Sequence, residues 1–290
     1  MSVTGTFVFA IVGESHVRAV NIALTYLKHF SRSNIVVVMG RSKLRPAHDQ
    51  VIEVGLPDQL DNREASIFLK TSLLSVLGSV RYPCCYLDSD VIAVNDDVDS
   101  IFRHKHGPVT FASDNVSIDM FSRYAVNCGC QESTCKHLRK SILHKFGLDV
   151  TSGNWRLWNG GVFLFDNDSA DFLTVWHELS RQILADSLWR TRDQGTLATT
   201  VWKFGLQDQP RLSRAFNVIV DRFWGLPLSE RLNISPNRFH VWNDYSLTGE
   251  GGRPRPIMLH FVNGGVGQAG WRNWDEVESL LRPHKERQPV

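Results

Sequence analysis

The chain has 290 residues, of which 42% are hydrophobic, enough to bury one large core. Its 32 basic and 30 acidic residues leave a formal charge of +2, too small to imply general affinity for polyanions, so no nucleic-acid partner is expected. Five cysteines, two of them adjacent at Cys84 and Cys85, do not form the even framework of a disulfide-stapled secreted domain and fit a reducing, cytoplasmic setting.

Strand and helix signals alternate from the start, which indicates an α/β fold with a mainly parallel sheet covered by helices. Phe7 to Val12 reads as a buried first strand. It is too short to span a bilayer and runs into Gly13-Glu14 instead of a cleavage site, so neither a transmembrane segment nor a signal peptide is read there. Val20, Ala23, Leu24 and Leu27 then recur at helical spacing, and Ile35 to Met39 gives a second strand, completing a βαβ opening. A shorter strand at Val51 to Val54 precedes a helix from about Arg63 to Leu77 that Gly78 can stop in a left-handed conformation. On that helix Lys70 shares a stripe with Leu73, Leu74 and Leu77, so its stem is expected beside the buried face, with its head either meeting an anionic partner or snorkelling to solvent.

The apolar run Cys84 to Leu87 delivers Asp88 and Asp90 at its C-terminal end, where open α/β sheets place their ligand crevice. Two aspartates one residue apart can both reach a single hard divalent cation if the backbone turns there; a polar turn is the plain alternative. From Asn115 to Val150 the chain is polar, weakly periodic and cysteine-bearing, which suits an excursion over the site, a lid or acceptor loop, more than another core layer. Within it Cys128, Cys130, Cys135 and His137 offer four soft zinc ligands, but their spacing is not a common two-plus-two pattern, and free thiols are the simpler reading. Gly161 to Phe165 is a strand. Phe172, Val175, Trp176, Leu179 and Ile183 form one apolar face of the next helix, and another helix is expected from Asp193 to Lys203, where Asp193 could serve as an N-cap. Leu226 to Pro256 should be mostly loop, and Ile257 to Phe261 is the last strand.

Four segments in order, Tyr86-Leu87-Asp88-Ser89-Asp90, Trp158-Asn159-Gly160-Gly161-Val162-Phe163-Leu164-Phe165, Arg192-Asp193-Gln194-Gly195 and Leu259-His260-Phe261-Val262-Asn263-Gly264, resemble the retaining glycosyltransferases of family eight, the glycogenin and lipopolysaccharide galactosyltransferase type with the GT-A fold. The resemblance runs from about Phe7 to Trp271. It implies one Rossmann-like GT-A domain over 1–290, with a nucleotide-binding half at about 1–112 and a sugar and acceptor half at about 113–290. It also implies transfer of a hexose from a nucleotide diphosphate sugar, a UDP-sugar first, with retention of anomeric configuration, to an acceptor that is a glycan, lipid, protein or small molecule.

The resemblance assigns Asp88, Asp90 and His260 to manganese, with magnesium as the other candidate, and one imidazole with two carboxylates does suit manganese better than calcium. It casts Ala10, Val12 and His16 beside the base, with His16 where relatives place a tyrosine. Lys70, Ser89, Asn159, Gly160, Gly161, Gly264 and Gly265 join Asp88, Asp90, Asp193, Gln194 and His260 around the donor, and Asp193 and Gln194 take the catalytic positions at the sugar. The paired glycines let backbone approach a bound sugar while the Asn159 amide can address hydroxyls. Relatives follow the metal histidine with Gly-x-x-Lys-Pro-Trp, whereas this chain reads Gly264 to Trp271 without a lysine, leaving Arg253, Arg255 or Arg272 to supply charge. A nucleotidyltransferase of the same fold and a nucleotide-sugar-binding pseudoenzyme are the other readings; the first lacks its glycine-rich, lysine-bearing loop after strand one.

Overall fold

In a computed structural model, residues 4–220, 232–235, 238–241, 256–262, 266, 267, 274 and 278 are described. The elements run β1 (Thr6–Val12), α1 (Glu14–Phe30), β2 (Asn34–Gly40), β3 (Val51–Glu53), α2 (Asn62–Thr71), α3 (Leu73–Val76), β4 (Cys84–Leu87) and β5 (Val91–Ala93). They continue with β6 (Val109–Ser117), α4 (Ile118–Ala125), α5 (His137–Phe146), β7 (Arg156–Phe165), α6 (Ala170–Ile183), α7 (Arg192–Lys203), β8 (Val218–Val220), β9 (Leu232–Ser235), β10 (Arg238–Val241) and β11 (Met258–Phe261).

A six-stranded sheet has the order β3-β2-β1-β4-β7-β6, parallel from β3 to β4 and antiparallel from β4 onward. All seven residues of β1 are buried, as a central strand covered on both faces requires. Phe7, Phe9 and Ile11 enter the core shared with α1, while Val8, Ala10 and Val12 enter the opposite core with α2, α6 and α7. The chain builds outward from β1 to β3 and then returns to place β4 on the other side of β1. The topological switch point therefore lies between β1 and β4, and the crevice opens at their carboxyl ends. Gly13 turns the chain there at φ 80°, its N–H donating to the Gly40 carbonyl at 3.2 Å.

Several expectations are revised. The helix expected over 63–77 is broken at Ser72, because the Thr71 and Ser72 hydroxyls donate back to the carbonyls of Ile67 and Leu69 and compete with the helical ladder. Gly78 does adopt the left-handed conformation, at φ 55°. The segment 115–150 is not a bare excursion: it contains α4 and α5, and it buries Ile118, Ala125, Val126, Leu138, Ile142 and Val150 in the second core. The polarity of its connecting loop hides that apolar face. Within the stretch from Leu226 to Pro256, expected to be mostly loop, 232–235 and 238–241 form the antiparallel pair β9 and β10, and nearly all of the remainder lies outside the described residues. Strands β5, β6 and β8 carry no clear signal in the sequence, since β5 and β8 are only three residues long.

The second core is rich in stacked rings. Phe111 on β6 and Phe163 on β7 lie 4.5 Å apart at 16°, and Trp176 of α6 meets Phe163 edge-on at 5.7 Å. Phe163→Ala is expected to cost about 3–5 kcal/mol in a denaturant titration, because the rings around it cannot collapse into the void. A loss below about 1 kcal/mol would show that β6, β7 and α6 are not packed as described.

Candidate functional site

Asp88 follows β4 and Asp90 precedes β5, with Asp88 to Val91 closed as a tight turn by the Val91 N–H donating to the Asp88 carbonyl at 3.0 Å. The Asp88 N–H donates to the Gly161 carbonyl at 2.9 Å, fixing the turn to β7. A small sheet of order β5-β11-β8 brings in the histidine. His260 lies opposite Val91, and the Phe261 N–H donates to the Asp90 carbonyl at 2.9 Å. Strand pairing, not proximity in sequence, thus sets His260 beside the two aspartates.

The imidazole Nε2 lies 3.4 Å from Asp90 Oδ1 and 3.8 Å from Asp88 Oδ2, and one ligand atom from each of the three residues falls within 4.8 Å of the others. On its far side Nδ1 donates to Asn217 Oδ1 at 2.9 Å, which turns Nε2 toward the carboxylates. Two oxygens and one imidazole nitrogen with an oriented tautomer fit a divalent cation that accepts mixed O and N donors. Burial lowers the proton affinity of His260, but Asp90 and then Asp88 more than offset it, so without a cation the ring is held above its usual pKa.

Lys70 lies at the centre of the remaining charges. Its Nζ is 3.2 Å from Asp88 Oδ1, 3.1 Å from Asp193 Oδ2 and 5.2 Å from the centre of the Tyr86 ring, and only 7% of the side chain is exposed. It does not snorkel. Burial would lower its pKa, yet the two carboxylates facing it leave it raised. Asp88 is raised by burial and lowered by Lys70, His260 and the Tyr86 hydroxyl, which donates to it at 2.6 Å; the balance lies below the usual carboxylate range. Asp193 lies in the first turn of α7 but does not cap it; Thr191 holds the N-cap position.

Asp88, Ser89, Asp90, Lys70 and Asp193 line a cleft of about 200 Å³ with Ala10, His16 and Tyr86. Val12 is buried and does not line the cleft, its N–H directed to His16 Nδ1 at 3.5 Å. The Gln194 side chain spans to β7, its Oε1 accepting from the Gly160 N–H at 2.8 Å and its Nε2 donating to the Trp158 carbonyl at 3.1 Å. Asn159 is occupied at both ends: Nδ2 donates to Asp114 Oδ2 at 2.9 Å and Oδ1 accepts from the Gly161 N–H at 2.9 Å. Its amide thereby links Asp114 of β6 to the Gly161 backbone of β7. The two glycines also serve neighbours in the protein: a Cβ at Gly161 would strike the His260 ring, and one at Gly160 would meet Gln194 Oε1 at 2.9 Å and Lys70 Nζ at 3.2 Å. Gly264 and Gly265, with Arg253, Arg255 and Arg272, lie outside the described residues.

Asp114 and Asn217 were not singled out from the sequence. Asp114 lies inside β6, which carries no clear strand signal, so its place in the sequence does not mark it; burial raises its pKa despite hydrogen bonds from Asn159 and the backbone. Nothing around Asn217 signals its contact with a histidine 43 residues later.

Removing Lys70 leaves two carboxylates facing each other. The figure for breaking a buried pair, about 3–5 kcal/mol, is too large here because Asp88 and Asp193 are 29% and 22% exposed, so Lys70→Ala is expected to cost roughly 2 kcal/mol. Mn²⁺ should restore part of it by taking over the neutralisation of Asp88. A melting-temperature drop that is identical with and without Mn²⁺ would contradict this charge balance.

No family model and no curated protein sequence matches the chain. Solved structures do. The galactosyltransferase LgtC in complex with donor and acceptor sugar analogues is similar at TM-score 0.57 and 14% identity, over 98% of this chain and 97% of that one. The WbbM bifunctional glycosyltransferase is similar at TM-score 0.55 and 12% identity over 90% of this chain, which spans 46% of that longer protein. Mouse xyloside xylosyltransferase 1 is similar at TM-score 0.50 and 11% identity, over 90% of this chain and 98% of that one. This chain has the GT-A fold of these glycosyltransferases.

Proposed function

We propose that the chain is a glycosyltransferase that uses a divalent cation, manganese first, to transfer a hexose from a UDP-sugar to an acceptor with retention of configuration. The observation that carries this reading is the cluster of Asp88, Asp90 and His260 at the switch point of a GT-A sheet, beside a cleft whose nearest fixed cation is Lys70. Among the described residues, three carboxylates, Asp88, Asp90 and Asp193, meet only Lys70 and His260 there, so added positive charge would favour entry of a diphosphate. A cation held by Asp88, Asp90 and the Nε2 of His260 would supply that charge and stabilise the leaving diphosphate.

In this reading the nucleotide lies against residues of the first half, about 1–112. Ala10 and His16 line the base side of the cleft, Val12 directs its N–H to His16, and Ser89 offers a hydroxyl beside the diphosphate. Lys70 adds a fixed positive charge within reach of phosphate or sugar. Asn159, Gly160 and Gly161 form the floor under the sugar, with Gly264 and Gly265 following the metal histidine.

Asp193, held by Lys70, and Gln194, held by Gly160 and Trp158, flank the sugar from the second half, about 113–290. The Gln194 amide is a poor nucleophile and is fixed at both ends, so it supports developing charge without forming a bond to the sugar. Attack from the face of the departing diphosphate, with a phosphate oxygen taking the acceptor's proton, gives retention without a carboxylate nucleophile.

Donor hydrolysis across UDP- and GDP-sugars, with Mn²⁺ or EDTA, tests the reading. UDP and free hexose should appear with Mn²⁺. Asp88→Asn and His260→Ala should each fall by roughly a hundredfold or more, equivalent to about 3 kcal/mol of lost charge stabilisation, and the double variant should fall little further. Activity that survives EDTA would remove the metal role. Pyrophosphate release would indicate nucleotidyl transfer, and tight UDP-sugar binding without hydrolysis would leave a binding protein.

A further inference from the structure

The loop between α4 and α5 brings together a second set of metal-ligating side chains, on a different part of the chain from the donor cleft. The spacing is Cys128-x-Cys130 followed by Cys135-x-His137. Cys128 Sγ lies 3.8 Å from Cys135 Sγ, Cys130 Sγ lies 3.4 Å from His137 Nδ1, and all four ligand atoms fall within 4.8 Å of one another. None of the three cysteines is disulfide-bonded. Tetrahedral zinc with Zn–S of about 2.3 Å and Zn–N of about 2.0 Å places its sulfurs about 3.8 Å apart and sulfur and nitrogen about 3.5 Å apart. The two shortest separations already match those edges, whereas a disulfide needs its sulfurs about 2.05 Å apart.

We propose that Cys128, Cys130, Cys135 and His137 bind one structural Zn²⁺ in a Cys₃His site. The surroundings fit such a site. The hydroxyl of Ser122, fully buried on α4, lies 3.2 Å from Cys135 Sγ and accepts from the Leu138 N–H at 2.7 Å, so it is fixed and free to donate its proton to a thiolate. The Cys135 N–H donates to the Asp119 carbonyl at 3.0 Å, tying the second pair of ligands to the start of α4. Gln131, Glu132, Ser133 and Thr134 between the pairs are all exposed, so the loop has no apolar interior of its own to hold its shape.

The site would close the α4–α5 hairpin and stiffen what it touches. Just before Cys128, the Asn127 N–H donates to the Leu188 carbonyl and the Arg190 N–H donates to Ala125, each at 2.8 Å. Residues 186–191 lead directly into α7, which carries Asp193 and Gln194. The zinc would therefore order the segment that sets the start of α7, while its ligands stay out of the donor cleft.

The test is elemental analysis of the full chain purified under reducing, chelator-free conditions, for the parent, Cys135→Ser and Asp90→Asn, with the visible spectrum of the Co²⁺-loaded parent. One zinc per chain is expected in the parent and in Asp90→Asn, with most of it lost in Cys135→Ser. Cobalt should give intense thiolate charge-transfer and tetrahedral bands. If Cys135→Ser does not fold, the parent's zinc content and cobalt spectrum decide alone. Zinc-free parent protein without cobalt–thiolate bands would overturn the proposal, as would zinc kept by Cys135→Ser and lost in Asp90→Asn. Neither result bears on the Mn²⁺ dependence of donor hydrolysis.

Discussion

The donor cleft depends on one buried ammonium. Lys70 is the point where α2, the end of β4 and the start of α7 meet, because its ammonium pairs with both Asp88 and Asp193. Burying a lysine is costly unless it is paired, and here it is paired twice and covered by the Tyr86 ring. The arrangement is still short of positive charge. Asp90 and the His260 imidazole face the same space, and among the described residues the three carboxylates there meet only Lys70 and His260 as cationic groups. The chemical reading of the cleft follows from that imbalance.

Backbone geometry makes the convergence possible. The tight turn from Asp88 to Val91 aims both carboxylates at one space, the pairing of β5 with β11 brings His260 alongside, and Asn217 turns the imidazole. At Gly160 and Gly161 the missing side chains also leave room for Gln194, Lys70 and His260. A glycine pair in a β-strand weakens the strand, and this chain accepts that where three side chains crowd one stretch of backbone.

Much of this was legible in the sequence. The apolar runs that became β1, β2, β4, β7 and β11, together with the aspartates at the end of β4, gave the parallel sheet and the position of its crevice, since both depend on local periodicity and strand-end placement. What stayed hidden depends on contacts between distant segments. The three-residue strands β5 and β8 are too short to show a period, yet they carry the pairing that delivers His260. The apolar face of α4 and α5 is interrupted by the polar cysteine loop, so the segment read as an excursion. The bond from the Asn159 amide to Asp114 was hidden for the same reason, because it joins residues 45 apart that only the fold brings together.

The central claim is that Asp88, Asp90 and His260 hold one divalent cation at the donor diphosphate. Anomalous diffraction at the manganese edge, from crystals grown with Mn²⁺ and UDP, measures this directly. A single strong peak within about 2.0–2.4 Å of a carboxylate oxygen from each aspartate and of His260 Nε2, bridging to the UDP phosphates, is the expected result. Ordered UDP in the cleft with no anomalous peak at those three residues, or with the peak elsewhere, would contradict it.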